Sequence, residues 1–380
     1  MVPFDFEPRT RVVFGRGAVQ RVGQLARGLD FHRVFLVADG GLVKAGHVGI
    51  VTAALESEGI QVLPYHDFGE NPDTTMIDDG VRFAESLRPD SVVALGGGSS
   101  LDCAKGINFV LTNGGSMHEY RGYGKARTPL LPMIGIPTTA GTGSEAQSYA
   151  VISDAATHMK MACGDPSAAV RIALLDPELT LTAPRHVTAM AGFDAIAHAV
   201  ETAVTIRRTP MSDTFSHRAW HLLNDAFERV LLYPADGEAR AAMQLGAHYA
   251  GMAIEQSMLG AAHACANPLT ARYGTTHGIA IAVMLPHVVR WNAEAVGDRY
   301  AELLRVSGAD AGGDAGGALA AKLDGLACAA GLPRTLQELG VERGAFAGLA
   351  ADAATQWTGA NNPRPFDAAA AGALYEAAFE

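Results

Sequence analysis

Ser91-Val-Val-Ala-Leu-Gly-Gly-Gly-Ser-Ser-Leu-Asp-Cys-Ala-Lys105 passes from a strand into a helix through three consecutive glycines. The run before the glycines has the length and apolar character of a strand covered on both faces. The glycines let the backbone come close to a ligand. The helix opening near Ser99 directs unpaired N–H groups and the positive end of its dipole at the same point. A pyrophosphate fits such a turn. The stretch is not the usual G-x-G-x-x-G, and a plain tight turn, with Ser99 and Asp102 as a capping box, accounts for the same residues; both readings stand at this stage.

Working outward, Arg11-Val-Val-Phe-Gly15 reads as a short edge strand and Arg33 to Asp39 as a buried one. A helix is expected over about 48–58, a strand at Gln61–Tyr65 and a second helix over about 75–87. Downstream, Leu131–Ile136 and Arg171–Leu175 are further strands. Strands separated by helices imply a parallel sheet of the dinucleotide-binding type. From about Leu181 strand-like runs give way to Ala/Leu-rich helical patterns, at about 184–205, 212–232, 237–258, 260–272, 278–293, 298–306, 316–330, 345–357 and 366–378. The expected fold is an α/β N-terminal dinucleotide-binding domain (1–180) followed by an all-α C-terminal metal-binding and substrate domain (181–380). Gly308–Gly317 reads as a flexible surface loop inside the second domain.

A chain of 380 residues with 48% hydrophobic side chains can bury two cores. Its formal charge of -11 argues against a nucleic-acid or anionic-membrane surface. No apolar run approaches the roughly 18 residues of a membrane span, and the N-terminus has neither the basic start nor the apolar core of a signal peptide. The expectation is a cytoplasmic protein with no membrane and no nucleic-acid partner. Cys103, Cys163, Cys265 and Cys328 are widely spaced with no Cys-x-x-Cys, the pattern of reduced structural thiols.

Pro137-Thr-Thr-Ala-Gly-Thr-Gly-Ser-Glu145 places hydroxyl side chains and glycines after a strand, where open α/β sheets bind ligands. Asp39 also ends a strand and can accept hydrogen bonds from an adenosine ribose, although a turn Asp before Gly40 explains it equally. In Gly192-Phe-Asp-Ala-Ile-Ala-His198, Asp194 and His198 leave one face of a helix that is otherwise apolar. A solvated helical pair is the common outcome at this spacing, but buried polar groups need partners. His263 and His277 complete one carboxylate and three imidazoles if the later helices pack against this one, a set suited to Fe(II) or Zn(II). His217 and His221, four apart on another helix, lack a matching element and read as solvated or packing residues; His248 and Cys265 read as core.

Gly96–Lys105, Pro137–Glu145, Gly192–Glu201 and His277-Gly with Leu285-Pro-His-Val288 together resemble the iron-containing (group III) alcohol dehydrogenase family, over about residues 5 to 305 at least. The resemblance implies a dinucleotide domain, a helical metal domain and an active site in the cleft between them. It assigns Asp194, His198, His263 and His277 to one divalent metal, Fe(II) first and Zn(II) second. It places Asp39, Asn71, Gly97, Gly98, Ser99, Thr138, Thr139, Thr142 and Lys160 along NAD(H). His287 becomes a residue orienting its helix or touching substrate, and Tyr149, Ile254 and Leu259 become pocket candidates that plain packing explains equally. Family members are commonly homodimers or larger homo-oligomers.

The implied reaction is hydride transfer between NAD(H) and a small or medium alcohol and its aldehyde or ketone. A divalent metal lowers the pKa of the hydroxyl or polarises the carbonyl, and the dinucleotide carries the hydride. The carboxylate of Asp39 should repel the 2′-phosphate of NADP(H), favouring NAD(H). Asn267 stands where many family members carry a histidine near the nicotinamide; an amide cannot titrate, so its catalytic role is at most orientation by hydrogen bonds. A maleylacetate-reductase-like or dehydroquinate-synthase-like enzyme and a catalytically silent nucleotide-binding relative remain as alternatives.

Overall fold

The computed structural model describes residues 3–380. Two compact units emerge, Glu7–Ala183 and Pro184–Glu380, the latter joined by the described residues up to Phe6.

In the first unit the strands are Arg11–Phe14 (β1), Arg33–Val37 (β2), Gln61–Tyr65 (β3), Ser91–Gly96 (β4), Gly122–Tyr123 (β5), Met133–Pro137 (β6), Tyr149–Ser153 (β7), Lys160–Gly164 (β8) and Ile172–Leu175 (β9). Its helices are Val22–Arg27 (α1), Gly40–Lys44 (α2), His47–Glu56 (α3), Thr74–Leu87 (α4) and Gly98–Asn113 (α5). Six strands form a parallel sheet in the order β1-β9-β6-β4-β2-β3. Both faces are covered, which is why β2 and β4 read as continuous apolar runs. Val34, Leu36, Val93 and Leu95 pack with Val51 and Leu55 of α3 on one side. On the other, Phe35 stacks with Tyr65 at 5.7 Å and meets Phe83 of α4. The chain runs from β2 outward to β3, then returns past β2 to β4 and continues to β6 and β9. This reversal is a topological switch point between the carboxyl ends of β2 and β4, where open sheets of this kind bind ligands.

β5, β8 and β7 form a second, small sheet beside α5. The sequence reading did not expect it, nor the short helix α2. The Ser99–Asp102 capping box is not formed: Gly97 is the N-cap of α5 with no side-chain cap, and Asp102 instead accepts from Ser144 Oγ at 2.6 Å and Val151 N–H at 3.3 Å.

The second unit holds Arg185–Thr202 (α6), Pro210–Leu232 (α7), Gly237–Ser257 (α8), Ala261–Tyr273 (α9), His277–Val306 (α10), Ala315–Ala330 (α11), Phe346–Ala354 (α12) and Ala368–Ala377 (α13), with no strand among its described residues. The α/β-then-helical fold class is borne out. α6 is its centre, buried continuously from Gly192 to Thr202 and packed against α7, α8 and α10. The two helices expected over 278–306 are one element broken at Val296, where φ is -142°. The Gly308–Gly317 loop ends earlier than expected: Asp314 caps α11 by accepting from Gly317 N–H at 2.8 Å, which draws the last residues of the stretch into the helix.

Candidate active site

Asp194 and His198 lie one turn apart on α6, His263 in the first turn of α9 and His277 at the first residue of α10. Gly278 permits this approach, because a Cβ there would collide with the Met190 carbonyl of α6. The Nε2 atoms of His198, His263 and His277 stand 3.4, 3.5 and 3.8 Å from Asp194 Oδ1. The His198 and His263 rings stack at 4.9 Å, and His263 meets His277 at 5.3 Å. Ligand atoms of Asp194, His263 and His277 all lie within 4.8 Å of one another. Asp194 and His263 are each 4% exposed, yet Asp194 Oδ1 and His263 Nε2 have no hydrogen-bond partner. Buried polar atoms are rarely left so. One carboxylate and three imidazoles, with Asp194 Oδ1 and His263 Nε2 unpartnered among them, fit a divalent cation, and these residues would hold it.

The electrostatics agree. Burial opposes ionisation of Asp194, but His198, His263 and His277 together hold its carboxyl well below the usual range. Burial likewise opposes a charged His263, but Glu201 and Asp194 outweigh it and raise its pKa to about 9. Binding of a dication by these side chains would compete with protons for the same nitrogen and oxygen atoms. Glu201, which the sequence reading left without a role, reaches the cluster from α6: Oε2 bonds His263 Nδ1 and Oε1 accepts from Ala262 N–H. Its signal was present, because Asp194, His198 and Glu201 at i, i+4 and i+7 share one helical face.

Asp39, Gly97 to Ser99, and Thr138, Thr139 and Thr142 follow the carboxyl ends of β2, β4 and β6 in the first unit, and Asn71 follows that of β3. Gly96 has φ of +147°, a conformation open to glycine. Thr138 N–H donates to Gly96 O at 3.0 Å, joining the glycine turn to the Pro137 loop. A Cβ on Gly98 would lie 2.5 Å from Thr142 Cγ2, and one on Gly97 3.3 Å from Thr139 Oγ1, so the two loops are in contact. Asn71 N–H donates to Ser99 Oγ at 3.2 Å, and Asn71 itself has φ of +50°. Asp39 caps α2, accepting from Gly41 and Leu42 N–H at 2.8 and 3.2 Å, and its Oδ2 accepts from Ser100 Oγ at 3.2 Å. Beneath the loops the fully buried Lys105 donates to Ser144 O, Gln147 O and Tyr149 O at 2.6, 2.7 and 2.9 Å.

Residues 8–177 match the iron-containing alcohol dehydrogenase family, and residues 188–379 match the C-terminal domain of the Fe-containing alcohol dehydrogenase family. The chain belongs to the iron-containing alcohol dehydrogenase family. It is 33% identical to the NAD-dependent methanol dehydrogenase of Bacillus methanolicus over 93% of each chain. With the 1,3-propanediol dehydrogenase of Klebsiella pneumoniae it shares 31% identity over 99% of each, and with the lactaldehyde reductase of Escherichia coli K12 31% over 92% of this chain and 93% of that one. Among solved structures, a 1,3-propanediol oxidoreductase superposes with a TM-score of 0.96 at 31% identity, covering 100% of both chains. An alcohol dehydrogenase from Oenococcus oeni gives 0.96 at 29%, over 99% of this chain and 100% of that one.

As an iron-containing alcohol dehydrogenase, the chain is a metal-dependent oxidoreductase of alcohols and aldehydes that uses NAD; the other chemistries and the silent relative are not favoured. No described helix is long and apolar enough to cross a membrane. The other candidate residues distribute as follows. Lys160 opens β8, where its charge acts on Asp102 of α5. Asn267, one turn beyond His263, is buried and donates from Nδ2 to Gln356 Oε1 at 3.0 Å. His287 lies on α10, its pKa lowered by burial and by Arg290. His221 pairs with Asp225 at 3.4 Å, and His217 faces Glu302 at 3.9 Å, away from any described metal-ligand cluster. Tyr149 lies tilted against Tyr123 at 5.4 Å within the first unit, whereas Ile254 and Leu259 are buried in the second.

Proposed function

We propose that Asp194, His198, His263 and His277 hold one divalent metal, Fe(II) in preference to Zn(II), and that the chain uses it to interconvert small or medium alcohols with their aldehydes or ketones by hydride exchange with NAD(H). The observation that carries this reading is the convergence of three Nε2 atoms on the unpartnered Asp194 Oδ1 at 3.4 to 3.8 Å. The metal, when bound, supplies Lewis acidity toward the substrate oxygen. The chain supplies the rest. Gly97, Gly98 and Ser99 open α5 with free N–H groups for a pyrophosphate, and Thr138, Thr139 and Thr142 offer hydroxyls beside it. Asn71 extends that rim, Lys160 supplies a cation near the nicotinamide ribose, and Asp39 disfavours a 2′-phosphate. Asn267, held by Gln356, orients by hydrogen bonding and moves no proton itself.

A homo-oligomer in the cytoplasm belongs to the same reading. β1 is an edge strand with Val12 and Phe14 exposed, and the four cysteines are free, as in a reducing compartment. The test is metal analysis of the purified protein with an NADH-linked screen of alcohols and aldehydes after reconstitution with Fe(II) or Zn(II). One metal per chain and turnover with NADH are expected; absence of turnover under either metal overturns the reading.

A further inference from the structure

α9 carries His263 in its first turn, yet its N-cap, Gly260, has no side chain with which to cap it. The first N–H groups are satisfied from elsewhere: Ala261 donates to Asn362 Oδ1 at 3.2 Å and Ala262 to Glu201 Oε1 at 2.8 Å. A Cβ on Gly260 would stand 2.9 Å from the Asn362 oxygen and 3.1 Å from the Glu201 oxygen, so this glycine leaves room for both caps. Glu201 is 4% exposed and belongs to α6, the helix of Asp194 and His198. A carboxylate at a helix N-terminus is favoured by the dipole and by the unpaired donors there.

The second oxygen of Glu201 bonds His263 Nδ1. A carboxylate only accepts, so this bond requires the proton on Nδ1 and reserves Nε2, the ring nitrogen on the Asp194 side, for ligation. Asn362 makes a matching link. Its amide pairs reciprocally with Asn292 of α10, at 3.0 and 2.8 Å, and α10 opens with His277. Glu201 and Asn362 thus tie the three helices that carry Asp194, His198, His263 and His277 through buried polar groups.

We propose that Glu201 is the positioning residue of the metal centre, holding the N-terminus of α9 on α6 and fixing the His263 tautomer that can ligate. The inference rests on the ligand set proposed above. Glu201→Gln is the informative change. Its single carbonyl oxygen can serve Ala262 N–H or His263 Nδ1–H but not both. If the oxygen stays on Ala262, the amide NH2 faces Nδ1 and drives the proton to Nε2, where it blocks ligation. Glu201→Asp keeps the charge but is too short for both donors.

The experiment measures the Zn(II) dissociation constant of the parent, Glu201→Gln and Glu201→Asp by competition with a chromogenic chelator, with the metal-free Tm of each. Weakening of about ten- to a hundredfold is expected for Gln, and several-fold for Asp. A purely structural role would lower the metal-free Tm and leave the dissociation constant alone. A constant within about twofold of the parent in the variants that fold overturns the proposal while leaving the ligand set intact. A parent that binds no zinc overturns the ligand set and this inference with it.

Discussion

Lys105→Met removes the charge at the base of the nucleotide loops and keeps nearly the same shape. Lys105 is 0% exposed, and its ammonium donates to the carbonyls of Ser144, Gln147 and Tyr149 and to Ser144 Oγ at 3.2 Å. It is also the first cation lowering the pKa of Asp102, which burial raises. The substitution strands carbonyl acceptors in a dry site and leaves Asp102 without its principal counter-charge. Breaking a buried charged set by deleting one partner costs about 3–5 kcal/mol. For a unit of this size each kcal/mol moves Tm by about 2–4 °C, so the calorimetric transition of the α/β unit should fall by about 6–20 °C. The loop from Thr138 to Gln147 is held down by these bonds, so NAD affinity measured by calorimetric titration below the transition should weaken at least about tenfold, or 1.4 kcal/mol. A Tm within about 2 °C of the parent and an unchanged NAD dissociation constant would refute the reasoning.

Asp39→Asn keeps an acceptor for the Gly41 and Leu42 N–H groups but removes the charge, so the ratio of kcat/KM for NADPH over NADH should rise about tenfold or more with Tm nearly unchanged; an unmoved ratio argues against Asp39 as the discriminating residue. Asn267→His should retain metal, because no proposed ligand changes, and should introduce a titrating step into the pH–rate profile; a profile superposable on the parent's excludes proton transfer at this position. The metal-free protein should lose stability as pH rises from about 6.5 to 9. The folded pKa of His263, about 9, lies above the ordinary imidazole value, so its contribution is full below about 6.5 and gone near 9, a span worth about 3 kcal/mol. Denaturant melts across that range, with and without Zn(II), check the sign: the metal-loaded protein should not share the decline, since metal binding requires the neutral ring.

The strands and helices were legible wherever periodicity and punctuation agreed. Gln61–Tyr65 lies where its apolar run placed it, and the break at Val296 falls between the two helices read over 278–306. Chemistry with a local spacing was equally readable: Asp194 and His198 share a face, and the glycine turn after β4 meets the Pro137 loop. What escaped was set by distant partners. The sheet of β5, β7 and β8 has short strands with Lys160 and Ser153 in them, and only their pairing makes them strands. Lys105 ends the glycine-turn stretch with no role legible in it, because its acceptors are 39 to 44 residues away. Glu201 was quoted within a motif, yet its partners, Ala262 and His263, lie 61 and 62 residues on. The Ser99–Asp102 pairing was a plausible local reading that Ser144, 42 residues from Asp102, displaced.

The central claim is that one carboxylate and three imidazoles on α6, α9 and α10 hold the metal. X-ray absorption spectroscopy of the Zn(II)-reconstituted chain beside His198→Ala tests it most directly. The account predicts only nitrogen and oxygen donors at about 2.0–2.2 Å with imidazole scattering from three rings in the parent, and one ring fewer in the variant. Sulfur in the first shell, or a spectrum unaltered by His198→Ala, would contradict it.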